Sequence, residues 1–92
     1  MFPRTERELI EILRGLAAEQ PATPLEAAEH EKYCVSLSLF LAKSGRYSGK
    51  VPHSVWHFLS DADIRAKSPE YAQVQREQLL FLTTQWARDA GA

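Results

Sequence analysis

Two histidines one helical turn apart are the first residues of this chain whose types and spacing could do chemistry. His53 and His57 stand four residues apart, so on a helix their imidazoles share one face. Such a pair can bind zinc, and Asp61 stands one turn further on as a possible third ligand. Zinc hydrolases with this spacing carry Glu directly after the first histidine, whereas this chain has Ser54 there. The pair therefore indicates a zinc-binding alternative rather than a zinc hydrolase.

His30 and Cys34 repeat the same spacing of two ligand-type residues. They could complete a four-ligand site if their helix packed against the helix that carries His53 and His57. Cys34 is the only cysteine, so no disulfide can form within the chain. It lies in an apolar run, and we expect it to be buried and unreactive.

A basic segment, residues 43–50, lies between the predicted helices, and it is the strongest concentration of positive charge in the chain. Its glycines allow close backbone approach, and Pro52 then marks a helix start, so the segment is a candidate for binding an anion or nucleic acid. It is not a standard phosphate-binding loop, because only three residues separate its glycines. Arg65, Lys67 and Arg76 would add to its charge if they lay on the same side of the molecule. The candidate binding residues in this segment are Lys43, Arg46, Tyr47 and Lys50.

The remaining patterns predict an all-α fold, in which capping residues and proline mark the helix starts. Thr5 begins a capping box, and apolar residues then recur three and four positions apart. Thr23-Pro24 and Ser68-Pro69 each combine an N-cap residue with proline at the first helical position. We expect main helices at about 5–18, 24–43 and 69–90, with two short helices at 52–67.

The second helix has a competing pattern, because residues 33–41 also alternate as a strand would. A strand needs a partner strand, and no other segment has a strand pattern, so only an intermolecular sheet would support one. We therefore predict a helix there. Since its second half is apolar on all sides, we expect it to be the buried central helix.

The two short helices are predicted to meet at Ser60, which would cap the second of them, with Asp61 and Asp63 in its first turn. The helix that follows carries four apolar residues in a row at 79–82, more than one buried face requires. We expect part of this surface to contact a second copy or another protein. The candidate contact residues are Leu79, Phe81 and Trp86.

Composition limits the function further. Ninety-two residues form one predicted domain, 1–92, and the net charge of −1 argues against nucleic acid as the main partner. The chain has no signal peptide pattern and no apolar run long enough for a membrane span, so a cytoplasmic location is expected.

No nucleophile, base and oxyanion-binding group converge in the sequence, which favours a non-enzymatic protein without a cofactor. The predicted function is a small protein-interaction module of the adaptor, inhibitor or immunity type, which could be a homodimer. Zinc binding and anion binding are the alternatives.

Overall fold

The computed structural model describes residues 2–45 and 51–89, and these form an all-α fold, as predicted. The described part contains five helices and no strand. The helix bounds are α1, Glu6–Ala18; α2, Pro24–Lys43; α3, His53–Ser60; α4, Ala62–Lys67; and α5, Pro69–Asp89. Residues 33–41 lie inside α2, so the helical prediction for that stretch is confirmed.

The starts of the main helices follow from local side-chain chemistry. The Thr5 hydroxyl accepts from the Glu8 backbone N–H at 3.1 Å. At α2 the capping box is complete, since Thr23 accepts from the Glu26 N–H while the Glu26 carboxylate accepts from the Thr23 N–H. Each contact satisfies an amide that lacks a partner in the first helical turn, and this fixes where the helix begins.

α3 and α4 lie between α2 on one side and the α1–α5 pair on the other, and the core lies where these helices meet. α1 packs along α5, while α2 packs mainly on α3 and α4. In this core Leu13, Leu37, Leu41 and Leu59 are fully buried, and Phe40 and Leu82 are partly buried against them. Leu79 of α5 also belongs to the buried core.

The junction of the short helices differs from the prediction by one residue. α3 extends through Ser60, and Asp61 occupies the position between the two helices with φ −99° and ψ 17°. Ser60 is exposed, and the N-cap residue of α4 is Asp61 rather than Ser60. The Asp61 carboxylate instead accepts hydrogen bonds from the Tyr71 and Gln75 side chains of α5.

No helix among the described residues is both long enough and apolar enough to cross a membrane.

Candidate functional site

The basic segment lies largely outside the described residues, which include only Lys43 among its four candidates. Lys43 is exposed in the last turn of α2, where a cation interacts favourably with the helix dipole. Arg46, Tyr47 and Lys50 lie outside the described ranges. Arg65, which was expected to reinforce this charge, is buried and points into the molecule.

The histidine pair is present on α3 as predicted. His53 and His57 are exposed, and their ring centroids lie 4.6 Å apart in an edge-on arrangement. The candidate third ligand, Asp61, accepts hydrogen bonds from Tyr71 and Gln75. Within 2–45 and 51–89 no group of three or more His, Cys, Asp or Glu residues is placed to hold a metal ion.

His30 and Cys34 do not join that pair. They face the core on α2, with the Cys34 Sγ 3.7 Å from the His30 Nε2. Their shared neighbour is Arg65 of α4, whose Nη2 lies 3.0 Å from the His30 Nε2 and 3.8 Å from the Cys34 Sγ. The structure therefore replaces the hypothetical four-ligand metal site with a buried guanidinium.

Arg65 is the centre of a polar cluster that the sequence does not reveal. Its residue exposure is 8%, and its guanidinium stacks 3.7 Å above the centroid of the Phe58 ring. One terminal nitrogen, Nη1, donates to the Phe58 carbonyl and, at 2.8 Å, to the Gln75 Oε1. Among the described residues, every group that accepts directly from Arg65 is uncharged.

Two carboxylates lie at opposite ends of the cluster, and each is connected to the guanidinium through one intervening side chain. The Gln75 Nε2 donates to the Asp61 Oδ2 at 3.0 Å, and the His30 Nδ1 lies 3.2 Å from the Glu19 Oε1. Because a guanidinium can only donate, the His30 Nε2 must accept from Arg65, which leaves the ring proton on Nδ1 to donate to Glu19. The result is one hydrogen-bonded chain that connects the end of α1 with α2, α4 and α5.

This environment suppresses thiol chemistry. Burial raises the pKa of the Cys34 thiol from its ordinary 9.0 to about 11, and the nearby Arg65 guanidinium only partly opposes that rise. Burial likewise lowers the pKa of Arg65. A reactive cysteine requires an accessible, electropositive site that favours the thiolate. Cys34 is fully buried and mainly protonated at neutral pH, so it lacks the properties of a nucleophile.

A groove of about 700 Å³ runs past this cluster, between the α1–α2 connection and the corner where α4 meets α5. Its lining includes Glu19, His30, Arg65 and Arg76. Both terminal nitrogens of Arg65 already donate to protein acceptors, so an anion in the groove would have to displace them. The cluster therefore joins the end of α1 with α2, α3, α4 and α5 through hydrogen bonds, and its guanidinium is already occupied by protein acceptors.

The predicted contact residues of α5 lie at three different depths. Leu79 is only 2% exposed and packs in the core, so its side chain is not offered to a partner. Trp86 is partly buried against the core and donates through its indole N–H to the Glu6 carboxylate. Phe81 is 66% exposed. It belongs to a row of exposed residues three and four positions apart, here called the α5 face: Val74, Gln78, Phe81 and Gln85.

The outer side of α2 corrects the prediction that this helix is buried on all sides. Its inner side, with His30, Cys34, Leu37 and Leu41, is buried. The opposite side is exposed, with Leu25 at 70% and Leu39 at 55%. Its members alternate at three and four residues and are here called the α2 stripe: Leu25, Ala28, Lys32, Val35, Leu39 and Ala42.

Comparison with protein-family models, with curated proteins and with solved structures gave no match to this chain.

Proposed function

We propose that this chain is a small, non-enzymatic protein-interaction module that binds a partner protein through the α5 face. The observation that carries the proposal is where its exposed large apolar residues lie. Of the nine found among the described residues, three lie on α2 and four on α5, and two of those four, Val74 and Phe81, belong to the α5 face. Single exposed apolar residues are ordinary, but their alignment along one helix side is typical of an interaction surface.

The α5 face has the composition of an interface core. Val74 is half exposed and Phe81 is the most exposed large apolar residue of α5. The positions between and beyond them are Gln78 and Gln85, so the row contains no charged side chain. Protein interfaces are depleted in charge and enriched in aromatic residues at their centres, and glutamine can form hydrogen bonds across them.

The fold does not require the α5 face. α5 is anchored from its other side, where Leu79 and Thr83 are buried and Gln75 bonds to Arg65. An apolar residue such as Phe81 therefore contributes little to folding in the isolated chain. The presence of this large apolar side chain on the surface is explained if a partner protein covers it.

The buried thiol supports the non-enzymatic part of the proposal. Cys34 would be the natural nucleophile beside His30, but its raised pKa and complete burial oppose attack on a substrate. Its contacts with His30 and Arg65 are those of a packed core group.

Site-specific photo-crosslinking in the cells that encode this chain tests the proposal. A photoreactive phenylalanine analogue replaces Phe81 in one variant and the exposed Arg14 of α1 in the control. We expect a discrete protein adduct from position 81, and none from position 14. Adducts that are absent from position 81, or equal at both positions, would reject the α5 interface.

A further inference from the structure

We propose that the α2 stripe is a second interface, at which two copies of this chain pair through antiparallel α2 helices. It goes beyond the α5 interface because another helix on another side of the molecule carries it. The stripe lies opposite the buried side of α2, so a second copy could reach it without disturbing the core.

The spacing of the stripe is that of a two-helix seam. Its six members follow intervals of three and four residues from Leu25 to Ala42, which is the repeat that keeps one side of a helix against a partner helix. Leu25, Val35 and Leu39 are exposed, with side chains large enough to interlock. The small Ala28 and Ala42 leave space for the leucines of a facing helix.

The charges of α2 favour a second copy as the occupant, and they also set its direction. Glu26, Glu29 and Glu31 lie in the first half of the helix, and Lys43 lies in its last turn. A parallel pair would place acid beside acid and Lys43 beside Lys43. An antiparallel pair instead places the acidic half of each helix beside the basic end of the other.

An antiparallel pair also matches the stripe to itself. Leu25 then faces Ala42 of the second copy, and Ala28 faces its Leu39. Glu29 and Lys43 flank the stripe on the same side, so each Glu29 lies within reach of Lys43 in the other copy. In this register Lys32, the one charged member of the stripe, faces Val35 of the second copy near the twofold axis. Such self-complementarity is what a twofold interface requires.

The size of the contact predicts weak association. α2 has 20 residues, which at a rise of 1.5 Å each gives a seam about 30 Å long. One pair of helices of this length covers less than the roughly 1,600 Å² of a standard interface. We therefore expect a monomer–dimer equilibrium in the micromolar range, between about 10 µM and about 1 mM.

Sedimentation equilibrium over that concentration range is the experiment. We expect wild-type chain to dimerise, Leu39→Glu to remain monomeric, and Phe81→Glu to dimerise like wild type. Circular dichroism checks that each variant is helical. A wild-type chain that is monomeric at about 1 mM overturns the proposal. A dimer that persists in Leu39→Glu also overturns it. Loss of the dimer in Phe81→Glu overturns it too, because self-association would then use the α5 face.

A charge exchange tests the direction of the pair and does not alter the apolar contacts. Glu29→Lys and Lys43→Glu should each weaken the dimer about fivefold, because each places like charges together. The double variant, which carries both changes, should restore the wild-type dissociation constant. Failure of the double variant to recover would overturn the antiparallel arrangement. Neither experiment uses position 81 crosslinking, so the α5 interface is judged independently.

Discussion

Arg65 and His30 are 35 residues apart in the chain, yet the Arg65 Nη2 donates to the His30 Nε2 at 3.0 Å inside the core. This contact joins α4 to α2, and Gln75 extends it to α5. The three helices are therefore fastened on their inner sides by polar contacts as well as by apolar packing. Large apolar residues on the outer sides of α2 and α5 are exposed.

The first prediction concerns the stability that Arg65 provides. Arg65→Ala removes the donor to His30, Gln75 and the Phe58 carbonyl, and it leaves a space above the Phe58 ring. We expect the free energy of unfolding to fall by about 2–4 kcal/mol, because buried acceptors lose their partners. Urea denaturation followed by circular dichroism measures this change.

Arg7→Ala is the matched control for Arg65→Ala. Arg7 is exposed and its 3.7 Å ion pair with Glu11 lies in solvent, so its loss should cost about 0.5 kcal/mol or less. Equal costs for the two variants would show that the buried cluster does not stabilise the fold.

Helix starts were predictable from the sequence because their causes are local. The Thr23 and Glu26 side chains satisfy amides only a few residues away, so the pattern alone predicts the cap. The cluster around Arg65 was not predictable in this way. Its partners His30 and Gln75 come from other helices, and an arginine in a short helix looks like any exposed arginine until the helices are packed.

The outer side of α2 shows a second limit of sequence patterns. Apolar residues on all sides of α2 predict complete burial. A chain of 92 residues has too few helices to surround one of them, and α2 packs mainly on α3 and α4. Leu39 and Leu41 are both leucines of the same helix, but only Leu41 faces the core. Periodicity identifies the apolar residues, whereas the number of neighbours decides which are covered.

The second prediction uses the pKa of Cys34, which is raised from 9.0 to about 11. Below about pH 9 the thiol is protonated in both the folded and the unfolded chain, and the stability it contributes is fully present. Between about pH 9 and 11 the unfolded thiol ionises while the folded thiol does not, so stability is lost as pH rises. The loss should approach about 2–3 kcal/mol.

Urea denaturation of wild type and Cys34→Ala at about pH 8.5 and about pH 10.5 measures this loss. Tyrosine and lysine titration affects both chains, so the difference between them isolates the thiol. We expect the wild type to lose more stability than Cys34→Ala over this interval. An equal loss in both would mean that the Cys34 thiol ionises normally in the folded chain.

The third prediction separates folding from recognition on α5. Leu79→Ala should lower the free energy of unfolding by about 2–5 kcal/mol, because it leaves a cavity in the core. Phe81→Ser, two residues away, should change it by no more than about 0.5 kcal/mol, since its side chain is mostly in solvent. Thermal or urea unfolding distinguishes the two, and a comparable loss for Phe81→Ser would place Phe81 in the folded core.

The fourth prediction concerns zinc. His53 and His57 offer two imidazoles, and the candidate Asp61 is bonded to Tyr71 and Gln75. We expect calorimetric titration to give a zinc dissociation constant weaker than about 1 µM, because structural sites with about 10–16 kcal/mol of binding energy use four ligands. Tight binding that His53→Ala/His57→Ala abolishes would instead make metal binding the leading function.

The most direct test of the proposed function is a photo-crosslinking scan along α5 in the cells that encode the chain. The photoreactive residue is placed singly at 74, 78, 81 and 85, which form the α5 face, and at 73, 80 and 84, which lie on other sides of the helix. We predict a protein adduct that is strong at the first four positions and weak at the other three, because one side of a helix meets the partner. Yields that do not follow this helical period, or no adduct at any position, would contradict the claim that α5 is a recognition surface.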